Sequence, residues 1–384
     1  MTAATTAEIV ALRRDLHAHP ELAYDEKRTT EVIVDWLTRF GMQPQVLPGG
    51  TGVLCDVGDD GAERTIGLRA DIDALPLADL KDVPYRSVIA GACHACGHDA
   101  HTAILLGAAA ELANIDLPGR VRLIFQPAEE SVPGGALSVI DAGAMDGIER
   151  TFALHCDPRL ETGQIGLRTG AITAACDQIE VLLTGQGGHT ARPHLTVDMV
   201  NALGLLITGL PGVLSRRVDP RSGVSVVWGS VEAGRASNAI PGNGRLSGTL
   251  RVLERDAWDA AEPMVRELVD QLVAPTGAHA VTVYTRGVPP CVNDSESVEI
   301  QRVAVLRALG QSAIAETAQS MGGEDFAWYL DEAPGALARL GVRRRGRPSF
   351  DLHQGTFDID EDALDIGVRY TVALAHTALT DVRD

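Results

Sequence analysis

Residues 64–77 read RTIGLRADIDALPL, and the architecture of the chain turns on this stretch. It begins as an apolar run suited to a buried strand, and sets down two acids, Asp71 and Asp73, behind the residues GLR. Similar short apolar runs recur as GVLCDVG (52–58), RVRLIFQP (120–127) and RTFALHCD (150–157), each read as a buried strand. Helical patterning lies between them at 99–113 and 135–142. Upstream, 7–40 is helical, with Ile9, Leu12, Leu16, Val32, Ile33, Trp36 and Leu37 as its apolar positions. The break there falls at His19–Pro20, because proline disfavours helix in the residue before it. Strands alternating with helices predict an α/β layer fold with a mixed sheet.

The middle of the chain follows another order. A strand at 177–184, a helix at 196–215, strands at 223–231 and 245–253, a helix at 256–273 and a strand at 280–286 spell βαββαβ, the ferredoxin-like unit. After Pro289–Pro290 the first pattern resumes, with helices near 295–309 and 360–379. The expected organisation is an outer domain in two parts, 1–174 and 288–384, with 175–287 inserted.

Composition narrows the function classes. Fifty-two acidic residues against 33 basic ones give a formal charge of -19, which argues against nucleic acid or an anionic membrane as a partner. The N-terminus lacks the basic start and continuous apolar core of a signal peptide, and no apolar run reaches the length of a membrane span, so a cytoplasmic location is expected. Six cysteines in 384 residues are too few for a disulfide scaffold, so those that matter are ligands or reactive groups. Lys27 and Lys81 are the only lysines.

Polar clusters fall at five predicted strand ends or helix mouths, where α/β sheets present their sites: ADID (70–73), CHACGHDAH (93–101), QPAEE (126–130), LHCD (154–157) and DLHQG (351–355). Three readings compete for GACHACGHDAH (91–101): a redox pair Cys93-x-x-Cys96, a structural zinc knuckle, and part of a catalytic metal centre. Gly97 stands where haem attachment needs histidine, and no second C-x-x-C completes a knuckle. The paired acids Glu129 and Glu130 follow a buried strand and Pro127, so neighbouring carboxylates point differently, one towards a metal and one free for proton transfer. The chain has no H-E-x-x-H, G-x-S-x-G, P-loop or G-x-G-x-x-G, which favours water over a side chain as nucleophile.

These residues resemble the N-acyl-amino-acid amidohydrolases, the hippurate and auxin-conjugate hydrolase branch of the dinuclear aminoacylase/carboxypeptidase family. The resemblance runs nearly end to end, through LHAHPELAYDE (16–26), LRADIDALPL (68–77), HACGHDAHTA (94–103), IFQPAEE (124–130), GQGGHTARPH (185–194), NAIPGNGRLSGTLR (238–251), MGGEDFAWY (321–329) and HQGTFDIDEDAL (353–364). It implies a metal-dependent hydrolase of N-acetyl or N-aroyl amino acids, carrying two divalent ions of zinc, manganese, cobalt or nickel, and a homodimer or higher homo-oligomer. Cys96 would be shared by both ions, Glu130 and His353 would complete one, and His98 and His155 the other. Glu129 would be the general base, with Asp71 and Asp73 orienting the ligands from behind. His101 is assigned to the helix or to a supporting role rather than to the ligand set. In the inserted domain, expected to act as lid and dimer contact, His189 would stabilise the oxyanion, and Asn238 and Arg251 would hold the substrate carboxylate.

Three positions depart from the family pattern. Ala92 and Cys93 stand where a lysine–methionine pair is common, and Cys156 where an apolar or aromatic residue is usual. Two other classes remain beside the enzyme: a non-catalytic metal-dependent binding or sensing protein, which has no need of Glu129, and a thiol-redox protein built on Cys93 and Cys96.

Overall fold

The computed structural model describes residues 4–380 apart from Asp60 and Ser349. The chain divides into two compact units, one of Met1–Ile172, Val292–Ala318 and Asp325–Asp384, the other of Thr173–Cys291 and Gln319–Glu324.

The first unit is built on an eight-stranded mixed sheet. Across it run Gln45–Val46, Val53–Gly58, Arg120–Gln126, Thr65–Asp71, Arg150–Glu161, Gly335–Arg343, Ile165–Leu167 and Ile314–Glu316. The four central strands, from Arg120–Gln126 to Gly335–Arg343, are parallel to one another, and antiparallel pairs flank them. Parallel strands are covered on both faces, which is why Thr65–Asp71 is buried at every position. The helix His98–Leu112 is apolar almost all round and correspondingly buried except at Glu111. It packs against Thr6–Ala18 and Asp362–Leu379, so both ends of the chain close this core.

Two expectations need correction. The strand foreseen over 64–77 ends at Asp71, and residues 72–97 form no regular helix or strand. Asp73 turns its carboxylate to the Glu130 N–H at 3.0 Å rather than into a ladder, and Pro76 has no N–H to give one. The strand Gly335–Arg343, in the middle of the sheet, was not foreseen at all. Its sequence GALARLGVR mixes glycines and alanines among its leucines and valine and is interrupted by arginine, and Arg339 is buried.

In the second unit the order is Ala175–Thr184, Met199–Arg217, Ser225–Ala233, Asn243–Val252, Arg255–Val273 and His279–Val288, which is βαββαβ. The four strands form one antiparallel sheet, with Asn243–Val252 and Ala175–Thr184 in the centre. Ala175–Thr184 alternates strictly, burying Ile179, Val181 and Leu183. The helix Met199–Arg217 is long and apolar enough by composition to cross a membrane; in this fold it buries Leu203, Leu206, Leu210 and Leu214. A short ribbon pairs His189 with Ala239.

Candidate metal centre

At the ends of the parallel strands the first unit gathers side chains from five separate stretches. Cys96 Sγ lies 3.5 Å from His155 Nε2. The other nitrogen of His155 donates to the Cys156 carbonyl at 2.8 Å, which fixes the tautomer and turns the Nε2 lone pair towards the sulfur. His98 is held the same way: its Nδ1 donates to the Asp73 carbonyl at 3.0 Å and lies 3.2 Å from Asp73 Oδ1. The opposite nitrogen, His98 Nε2, is buried and has no hydrogen-bond partner. It stands 3.9 Å from Glu130 Oε1 and 4.0 Å from Glu129 Oε2. On the open side, His353 Nε2 is 3.2 Å from Glu130 Oε1, and half of the His353 side chain is exposed.

Three overlapping donor sets result: Cys96, His98 and His155; Cys96, Glu130 and His353; and His98, Glu129 and Glu130, each with ligand atoms within 4.8 Å of one another. Two of these sets share Cys96. His101 stands apart from this use, because its Nδ1 donates to Asp71 at 2.6 Å and its Nε2 accepts the Cys156 N–H at 2.8 Å, leaving no lone pair for a cation.

The electrostatics call for positive charge. Burial, and then the carboxylates of Glu130, Glu129 and Asp71, push the Cys96 thiol well above the ordinary cysteine range. Burial alone would lower His98, but Asp71, Asp73 and Glu130 outweigh it and raise the imidazole to about 10. His155 moves the other way, lowered by burial and then by Arg339. Thiolate, imidazole and carboxylate donors around a buried, unpartnered nitrogen are what a zinc-like cation binds.

The local backbone explains the aim of these groups. Gly97 precedes the helix His98–Leu112 with φ +90°, and a Cβ there would meet Cys156 Sγ at 2.9 Å. Ala128, just before the paired glutamates, takes φ +58°, rare for a residue with a side chain. Its N–H is held by Glu26 Oε1 at 2.8 Å, while Asp73 Oδ2 holds the N–H of Glu130. Glu129 therefore sits between two anchored peptide groups. His353 also has φ +61°, and its N–H donates to Ala95 at 2.8 Å, tying the last donor to the loop of the first.

Sequence reasoning missed the groups behind this set. Glu26 is one. Another is a buried chain in which Arg69 bridges Asp71 at 2.6 Å and Asp325 at 2.7 Å, with Gln126 donating to Asp325 at 2.7 Å. Both acids lie in quoted stretches, LAYDE and MGGEDFAWY, but nothing in their type announces these partners. The other three expected residues belong to the second unit. His189 lies on the exposed ribbon, next to which the Asn238 carbonyl accepts the Thr190 N–H at 3.3 Å, and Arg251 donates to the Met321 carbonyl at 2.9 Å.

Known proteins resemble this chain in sequence and in fold. The chain is 35% identical over 378 residues to an N-acetylcysteine deacetylase of Bacillus subtilis, covering 98% of each chain. It is 50% identical over 367 residues to a longer Rhodococcus jostii protein that bears a glutamate–cysteine ligase name, covering 96% of this chain but only 46% of that protein. The crystal structure of Bacillus subtilis YXEP, described as a dinuclear metal binding peptidase from the M20 family, superposes with a TM-score of 0.87 at 32% identity, covering 98% of this chain and 99% of that one. The pattern of peptidase family M20/M25/M40 runs from residue 67 to residue 377, across the sheet, the donor loops and the inserted unit alike. The chain is a member of that family.

Proposed function

We propose that the protein is a metal-dependent amidohydrolase that cleaves the amide bond of N-acyl amino acids, in the manner of the hippurate and auxin-conjugate hydrolase branch. The observation that carries this reading is the division between the paired glutamates. Glu130 belongs to the set with Cys96 and His353 and also lies 3.9 Å from the unpartnered His98 nitrogen, while Glu129 stands 4.0 Å from that nitrogen, on an anchored turn and outside the two sets that share Cys96. A protein that only bound a cation would need no base beside its ligands, the part this reading gives to Glu129.

Two divalent cations, of zinc, manganese, cobalt or nickel, held by Cys96 with Glu130 and His353 and by Cys96 with His98 and His155, would supply a Lewis acid for the amide carbonyl and make water acidic enough to attack it. The chain's own part is proton handling and orientation. Glu129 takes the proton from the attacking water and returns it to the leaving amine, so one carboxylate serves both halves of the reaction. Asp73 and the Cys156 carbonyl keep His98 and His155 in the donor tautomer, and Asp71 fixes His101, whose other nitrogen accepts the Cys156 N–H. His189 is assigned to the developing oxyanion and Asn238 and Arg251 to the substrate carboxylate, for which a guanidinium fork is suited. The second unit is assigned the part of lid and dimer contact, and the uncovered valines and leucine of its sheet, Val227, Val281, Val283 and Leu182, support the latter.

The names of two relatives support a reading of the amino acid. One is named for removing acetyl from N-acetylcysteine, and the longer one for joining glutamate to cysteine. We therefore place N-acylated cysteine and its S-substituted forms first among the substrates. The test is a panel of N-acetyl, N-benzoyl and dipeptide substrates, including N-acetylcysteine, given to protein reconstituted with each cation. Glu129→Gln should lose at least about 100-fold in kcat while binding as much metal as the parent. Undiminished turnover in that variant would remove the mechanism, and absence of turnover on every member of the panel would leave a cation-dependent binding protein.

A further inference from the structure

Behind the donor loop lies a second cluster that the proposed reaction does not use. Lys81 is 7% exposed, and its Nζ lies 2.9 Å from Asp79 Oδ1 and 3.6 Å from the sulfur of Cys93, which is wholly buried. His17 joins them, with Asp79 on one nitrogen at 3.3 Å and Asp99 on the other at 2.6 Å. His17, Asp79 and Cys93 bring their polar atoms within 4.8 Å of one another. Lys81 is one of only two lysines in the chain, and every other basic residue is arginine. An arginine would supply the charge for Asp79, but it offers no nucleophilic amine. The position thus holds what lysine alone provides, in contact with a thiol.

We propose that Lys81 and Cys93 form a reversible sulfenamide cross-link when the protein meets a hydroperoxide. In the first step the Cys93 sulfur attacks one peroxide oxygen, the O–O bond breaks, sulfur is oxidised by two electrons to a sulfenic acid, and the peroxide is reduced to water. In the second step Lys81 first gives up a proton by way of its partner Asp79; the neutral amine then attacks that sulfur, the S–O bond breaks, the hydroxyl leaves with a proton from the amine as a second water, and the N–S bond closes. One ammonium, one thiol and one hydrogen peroxide become one sulfenamide, two waters and one proton, which passes to solvent. A small thiol reverses the bond by attacking sulfur and releasing the amine, and a second thiol frees Cys93.

A buried thiol is ordinarily inert, but this one has two cations beside it to stabilise the charge that develops as it attacks. His17 is one of them: burial would lower it, yet Asp99 and Asp79 raise it to about 10. Leu80 and Asp82, on either side of Lys81, are exposed in a segment without regular structure. The neighbouring amine also intercepts the sulfenic acid before a second peroxide can carry it to the irreversible sulfinic acid.

The bond would be felt nearby. Cys93 exchanges both backbone hydrogen bonds with Leu75, at 3.0 and 3.1 Å, and leads in three residues to Cys96. Closing a 3.6 Å contact to a covalent bond draws this segment towards Lys81, so the oxidised protein should hold divalent cations more weakly. This consequence rests on the proposed cation site, whereas the cross-link itself does not.

The experiment is peptide mapping by mass spectrometry of the metal-loaded protein after hydrogen peroxide. The expected product joins the peptide containing Lys81 to that containing Cys93, two hydrogens lighter than their sum, and disappears with dithiothreitol. It should be absent from Cys93→Ser and from Lys81→Arg, and in Lys81→Arg the Cys93 sulfenic acid should become trappable by dimedone. A wild-type map with Cys93 still a free thiol, oxidised to sulfinic acid, joined to the His94 backbone nitrogen or paired with another cysteine would each overturn the proposal. The wild-type map decides the matter by itself if Lys81→Arg does not fold.

Discussion

Glu26 shows how much one buried side chain can govern without touching a substrate. Its carboxyl is wholly buried and holds the Ala128 N–H, and burial, followed by the charge of Asp73, raises it from 4.5 to about 7. Between those values the folded protein keeps a proton that the unfolded chain has lost. Stability contributed by this group therefore falls as pH rises through that window, by up to about 3 kcal/mol. Glu26→Gln keeps the acceptor and removes the titration. In metal-free protein its Tm should gain on that of the parent between pH 5 and pH 7.5, and a pH-independent difference would show that Glu26 does not hold the proton. The residue types gathered in the candidate site were legible from the sequence, since Cys96, His98, Glu129 and Glu130 sit in recognisable spacing. The partners of Glu26 and Asp325 were not, because Ala128 lies 102 residues from the one and Arg69 lies 256 from the other. A sequence displays residue types in order, while a hydrogen bond is a fact of three dimensions.

At the scale of elements, periodicity was informative wherever an element buries one face. The helices of the second unit and its alternating strands came out within a few residues of the pattern, because each turns one side to water. The strand Gly335–Arg343 did not, since a central parallel strand has no polar side to alternate with, and its glycines and alanines dilute the apolar run. The mouth of the helix His98–Leu112 gives a test at this scale. Gly97 is left-handed and its missing Cβ makes room for Cys156, whose sulfur and Cβ would lie 2.9 and 3.1 Å away. Gly97→Ala should cost about 1–3 kcal/mol of stability and weaken divalent-cation binding, because the turn aims both Cys96 and His98. Thermal melts and calorimetric titration would check this, and an unchanged Tm would mean that the turn relaxes freely.

For the molecule as a whole, the cation should act as a keystone between distant stretches. Donors at 96–98, 130, 155 and 353 come together only in the folded state, so binding raises apparent stability, by about 2.7 kcal/mol at a free-cation concentration of 100 times Kd. Adding zinc to chelator-treated protein should raise Tm in the parent and in Glu129→Gln alike, and much less in Cys96→Ser. An equal rise in Cys96→Ser would exclude the sulfur from the ligand set. The central sheet adds a matter of timing. Thr151 pairs with Gly335 in parallel, with the whole inserted unit between them in the sequence. During synthesis the strand Arg150–Glu161 therefore waits roughly 10 to 40 seconds with one edge bare before its partner exists. The inserted sheet, whose pairings all fall between residues 175 and 288, can close during that interval. The nascent chain can thus carry a closed inserted sheet while its central sheet is still incomplete, with His155 on the strand that waits for its partner.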